Sequence, residues 1–125
     1  MPLRASLPLA SAAEAEAALE GLVRVNTHQL TQGYPPIASS LRSGRLRYIR
    51  RDPDEEWRSL AQIWRHGGGD CEDLAAAVTA ELRALGYRAR VVIRRARPGL
   101  LHALTLNEST GQLLDPSLTG GMGQV

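Results

Sequence analysis

The stretch "RHGGGDCEDLAAAV", Arg65 to Val78, contains the chain's single cysteine. Three glycines precede Cys71, and Asp70, Glu72 and Asp73 crowd around it. Asp70 is a good N-cap, and Asp73 can complete a cap three positions on. A helix is therefore predicted to open here and to run to Gly86, a natural C′ residue. Cys71, Ala75, Val78, Leu82 and Leu85 step by four, three, four and three, so they are expected on one apolar face. The thiol would sit in the first turn, pointing the way the core residues point.

That position suits a nucleophile. A helix N-terminus favours thiolate, its free amides can receive an oxyanion, and glycines allow a substrate close to the backbone. The three acids oppose this, because neighbouring carboxylates disfavour a second negative charge. A reactive thiol here needs a positive partner.

Downstream, "RARVVIRRA" alternates Ala89, Val91 and Ile93 against Arg88, Arg90 and Arg94, the pattern of a half-buried strand. "RPG" reads as a turn. "LLHALTLN" reads as a second strand, with Leu101, Ala103 and Thr105 opposite His102, Leu104 and Leu106. "ESTG" turns the chain, "QLLDPS" is a third short strand ended by Pro116, and "LTGGMGQV" is expected to be loose. His102 can then pack near Cys71, and Asp115, on the adjacent strand, near His102. Cys, His and Asp so arranged supply a nucleophile, its base and the group that orients the base. Chain order alone carries little weight.

Upstream, residues 11–32 are predicted helical, opened by Ser11 and Glu14, with Leu19, Leu22, Val23 and Leu30 on one face. "QGYPPIASS" reads as a turn or extended linker, since Pro35 and Pro36 resist helix. "RLRYIRR" reads as a short strand or arm. "DPDEEWRSLAQIWRHGGG" reads as a second helix, with Asp52 as cap, Pro53 in its first turn and Trp57, Leu60, Ala61 and Trp64 as its apolar stripe. The fold class expected is α+β: helices first, then the cysteine helix on a small antiparallel sheet.

A length of 125 residues fits one domain, 1–125, with the motif-bearing core at 65–118 and a helical and extended part at 1–64. The composition, 43% hydrophobic and 22% charged, is that of a globular chain. Its core must be aliphatic, for there is no Phe and only two Trp. One cysteine excludes an internal disulfide. The net charge of +2 is too small to imply a nucleic-acid partner. The first residues read as a helix start rather than a signal peptide, and no stretch approaches a membrane span.

"GGGDCEDLAAAVTAELRALGYRARVV", then "LLHALT", then "LLDPS" resembles the transglutaminase-like superfamily of papain-type fold, over about residues 65–118. "QGYPP" and "SGRLRY" further resemble small actinobacterial phage and prophage members. The resemblance implies Cys71 as nucleophile, His102 as general base and Asp115 as orienting acid. It implies acyl transfer at amides through a thioester on Cys71. Hydrolysis of a peptide or protein substrate is expected ahead of cross-linking, with no cofactor. One oxyanion donor would be the Cys71 amide, and Gln62, Trp64 or Tyr48 could supply the other.

Plainer readings stand beside these. A lone cysteine is most often a small buried hydrophobe. Asp70 and Asp73 are structural caps before they are catalysts, and Asp73 can pair with a nearby Arg. Gly67 to Gly69 lack the Lys and spacing of a phosphate loop. His28 and His66 have no evident partners. The arginine clusters at 42–51 and 83–97 read as solvated faces. A metal site from Cys71, His102 and Asp115 is the weaker reading, and none is expected. The rival function is a non-enzymatic phage or prophage assembly module whose partners are phage structural proteins. A cytoplasmic location is expected, or a virion-associated one in that case.

Overall fold

The computed structural model describes residues 12–51, 56–97 and 100–123. The Ser11 cap, the Asp52–Pro53 helix opening and the Pro98–Gly99 turn lie outside the described residues.

The first helix, α1, runs Ala12–Thr31 and buries Ala15, Leu19, Leu22 and Val23 at three- and four-residue spacing. The short α2, Ala38–Ser43, lies where "QGYPPIASS" was expected to be linker. The two prolines end before it, and its apolar anchors Ile37 and Leu41 are buried. A two-residue strand β1, Arg47–Tyr48, follows.

The next helix, α3, spans only Leu60–His66. The expected helix does not run through residues 56–59, which are not helical; it opens at Leu60 with a capping box, in which the Ser59 side chain accepts from Gln62 N and Gln62 Oε1 accepts from Ser59 N. The residues before it are held otherwise, with Arg58 N donating to Asp73 Oδ1 at 2.7 Å. Trp57 is buried but precedes the helix, and Leu60 and Ile63 are the helix's buried residues. The predicted stripe of Trp57, Leu60, Ala61 and Trp64 therefore does not form.

Gly67 ends α3 at φ 84°, in the left-handed region. Gly68–Gly69 form β2, which pairs in parallel with β1. A Cβ on Gly68 would stand 1.9 Å from the Arg47 carbonyl oxygen, so this close approach demands glycine.

The central helix, α4, spans Cys71–Ala84. The expected single apolar face is corrected here. Leu74 to Ala80 are all buried, and Leu85, the residue capping the helix, is 70% exposed. Ala75, Ala76 and Ala80 pack with Leu19, Leu22 and Val23 of α1 and with Val91, Ile93 and Ala103 of the sheet. Leu74, Ala77 and Val78 pack on the other side with Ile37, Leu41, Leu60 and Ile63. The small side chains of "LAAAVTA" let neighbours approach from every direction, and each fully buried leucine around them contributes about 1.5–3 kcal/mol.

Strands β3 (Ala89–Arg97), β4 (Leu100–Asn107) and β5 (Gln112–Leu114) form an antiparallel sheet in that order. Ile93 faces Ala103, Val91 faces Thr105, and Thr105 faces Leu114. Thr105 Oγ1 donates to the Ala75 carbonyl at 2.9 Å, tying the sheet to α4. Arg83 grips Glu20 with both terminal nitrogens, at 2.6 and 2.8 Å, and donates from Nε to the Ala89 carbonyl, joining α4, α1 and β3. The chain after β5 is not loose throughout: α5, Pro116–Thr119, forms a helical turn, and the Gly120 carbonyl accepts from Tyr48 N at 2.9 Å. Helices pack on one small antiparallel sheet, so the fold is α+β.

Candidate active site

Cys71 occupies the first position of α4, immediately after β2. Asp70 and Asp73 cap each other reciprocally: Asp73 N donates to Asp70 Oδ1, and Asp70 N donates to Asp73 Oδ2, both at 3.1 Å. Asp73 is fully buried, and Arg51 Nη1 reaches its Oδ2 at 2.7 Å. Burial and Asp70 push its pKa up, while the Arg58 and Asp70 amides and the Arg51 guanidinium pull it down. Three donors converge on the two carboxylate oxygens, and this geometry fits the ionised form. Arg51 sits in a run of arginines, so sequence alone did not single it out.

The sulfur lies where α4 meets β4. The β4–β5 ladder ends at the Thr105–Leu114 pair, which leaves earlier residues of β4 unpaired on that side. There the Ala103 backbone amide favours thiolate at the sulfur. Burial outweighs it, and with the Glu72 charge holds the thiol well above its ordinary range. Cys71 Sγ donates to Glu72 Oε2 at 3.2 Å. Among the described residues, Glu72 and not His102 accepts the thiol proton. Glu72 itself is pushed up to about 7 by burial and then by Asp70. The sequence showed the acids around the thiol, but not which one would contact it.

His102 and Asp115 meet. Continuing the β4–β5 register one residue past Leu114 sets Asp115 across from Leu104, diagonal to His102 on the same face. His102 Nε2 and Asp115 Oδ2 are 3.0 Å apart. Asp115 is also the N-cap of α5, its Oδ1 accepting from Leu118 N at 3.2 Å. One carboxylate oxygen thus holds the helix turn and the other holds the imidazole. With Nε2 engaged, the ring nitrogen left for a further partner is Nδ1.

The three side chains considered for the oxyanion separate clearly. Trp64 Nε1 donates to the Pro35 carbonyl at 2.8 Å, so its only donor is already used. Gln62 is exposed, and its side-chain oxygen is committed to the Ser59 cap. Tyr48 remains near the thiol: its phenol is pushed up by burial and then by the negative groups of Cys71, Asp70 and Glu72. β1 is stitched to the glycine strand before Cys71 and to Gly120 after α5, so one short strand connects both halves of the site.

The profile of the Transglutaminase-like superfamily matches residues 19–107, more than two thirds of the chain. The chain belongs to the transglutaminase-like superfamily. The matched span starts inside α1 and includes Cys71 and His102, while Asp115 lies beyond it. No curated protein and no solved structure gives a significant match. The superfamily's chemistry is, in general terms, cysteine-based acyl transfer or proteolysis. Among the described residues of this transglutaminase-like chain, no group of three or more His, Cys, Asp or Glu could hold a metal ion. No described helix is long and apolar enough to cross a membrane.

Proposed function

We propose that this transglutaminase-like chain acts as one domain, residues 1–125, that hydrolyses amide bonds of a peptide or protein through a thioester on Cys71. The observation that carries this reading is the 3.0 Å His102–Asp115 contact, made by the strand whose next residue, Ala103, belongs to the apolar cluster that Cys71 packs against. Asp115 holds the imidazole by Nε2, and Nδ1 takes the thiol proton. The sulfur attacks the amide carbonyl, and the oxyanion settles against the Cys71 N–H and the Tyr48 phenol. His102 returns the proton to the departing amine, and water attacks the thioester with His102 as base. Hydrolysis needs only water as the second acceptor, whereas cross-linking needs an ordered amine. The first step requires the thiol to turn from Glu72 to His102.

The Cys71–Glu72 contact also supports a second reading, a non-enzymatic module that keeps the fold with an inert buried thiol. The "QGYPP" and "SGRLRY" stretches make a phage or prophage assembly role its natural form, with a virion-associated rather than a cytoplasmic site of action. The rate of Cys71 alkylation by iodoacetamide, measured from pH 4 to 10 in wild type and His102→Ala, separates the two. Fast reaction below the ordinary thiol pKa of about 8.5, lost in the variant, is the enzyme's signature. Free-thiol behaviour in both proteins, or no reaction in either, overturns the enzyme reading.

A further inference from the structure

A half-open polar groove of about 360 Å³ lies between the end of α2 and the end of α5, walled by Arg42, Ser43, Arg47, Thr119, Gly120 and Gly121. Its volume is in the range of small-ligand sites. Strand alternation puts the Arg47 side chain on the face of β1 away from Tyr48, so the groove is separate from the thiol. Arg42 and Thr119 also wall a smaller apolar hollow of about 80 Å³, closed by Leu41, Val78, Leu114 and Pro116.

Arg42 and Arg47 both line the groove and both are exposed, and neither guanidinium has a hydrogen bond or ion pair to another described residue. Glu81 feels the charge of Arg42 but forms no ion pair with it. Three other arginines are engaged: Arg51 on Asp73, Arg83 on Glu20, and Arg58 on the Gly68 carbonyl. Paired guanidiniums beside a cavity suit a carboxylate, which their planar forks can hold by two hydrogen bonds each. Apart from Arg42 and Thr119 the walls of the hollow are apolar, and it has room for a few aliphatic carbons.

We propose that this groove binds a carboxylate carried on a short aliphatic group, in the form of a peptide's C-terminal residue. The carboxylate lies between Arg42 and Arg47, the aliphatic side chain enters the hollow, and the peptide leaves through the open side. The proposal does not depend on the role of Cys71. Its occupant would touch Leu114 and Pro116, the residues on either side of Asp115.

The test is titration of the full chain with N-acetyl-Ala-Leu as the free acid, followed by calorimetry and by amide chemical shifts. Saturable binding with shifts at Thr119 to Gly121 is expected. The C-terminal amide should bind at least tenfold more weakly, and the acid about tenfold more weakly to Arg42→Ala/Arg47→Ala protein. Both arginines are exposed, so the double variant should fold, and its circular dichroism confirms this before titration. No saturable binding, equal binding of acid and amide, or indifference to the double substitution overturns the proposal. Inorganic phosphate binding as tightly as the dipeptide overturns it too, because phosphate has no group for the hollow.

Discussion

The Arg51 guanidinium stands 2.7 Å from the Asp73 carboxylate, with the two side chains 7% and 0% exposed. This buried pair sits at the start of α4 and ties three segments together, because Asp73 also accepts from the Arg58 and Asp70 amides. Such a pair adds little over an apolar substitute, but removing one partner leaves the other charged and dry. Asp73→Asn should cost about 3–5 kcal/mol, read as a lower urea midpoint with unchanged slope. A loss below about 1 kcal/mol would mean that Arg51 finds solvent, and that the pair is not what holds the helix start.

Asp115 has two tasks that one substitution can separate. Asparagine caps helices about as well as aspartate, so Asp115→Asn should leave α5 formed. It puts a neutral amide where the carboxylate now faces the imidazole at 3.0 Å. Cys71 alkylation at pH 7 should slow about tenfold while the melting temperature stays within a few degrees. Unchanged alkylation would show that Asp115 serves only as the α5 cap.

Glu72 makes stability depend on pH in a definite direction. In the unfolded chain it loses its proton near its ordinary 4.5, and in the folded chain near 7. Between those values the native state holds the extra proton, so the Glu72 contribution falls as pH rises through that window and is lowest above it. Glu72→Gln cannot ionise. Its stability should gain on wild type progressively from pH 4.5 to 7, by an amount on the order of 1–3 kcal/mol at pH 8, read from urea midpoints and melting curves. Parallel melting curves at all pH values would show that Glu72 keeps an ordinary carboxyl.

Gly68 allows β1 to lie against the loop before Cys71. A methyl group 1.9 Å from the Arg47 carbonyl oxygen cannot be accommodated by rotating a side chain, because the obstacle is backbone. Gly68→Ala should cost about 3 kcal/mol or more. Gly67→Ala meets no neighbour within 4 Å and only the strain of a φ of 84°, so it should cost about 1 kcal/mol. Comparing the two midpoints distinguishes close approach from local strain.

Much of this chain was readable from local rules. The Asp70–Asp73 cap pattern, the alternation of Ala89, Val91 and Ile93, and the spacing of Leu19, Leu22 and Val23 are short-range signals. They are written within one element and obeyed there. Residues 56–59 stay out of the expected helix: the Ser59–Gln62 box opens it at Leu60, and Arg58 N is held by Asp73, fifteen residues away. Periodicity pointed to one buried face on α4, but layers on several sides buried nearly all of it.

The sequence by itself determined the long first helix, the cysteine helix, the three-stranded sheet and their order, and the three side-chain types a cysteine nucleophile would need, because capping and periodicity act over a few residues. Only the tertiary structure decided which groups meet. It set His102 on Asp115, turned the thiol toward Glu72, spent the Trp64 donor on Pro35 and buried Arg51 against Asp73. Apart from the contact between the neighbours Cys71 and Glu72, they join residues 13 to 29 positions apart, the furthest being Trp64 and Pro35, and no local pattern encodes them. Strand register, burial and competition for donors settle them after the chain has folded.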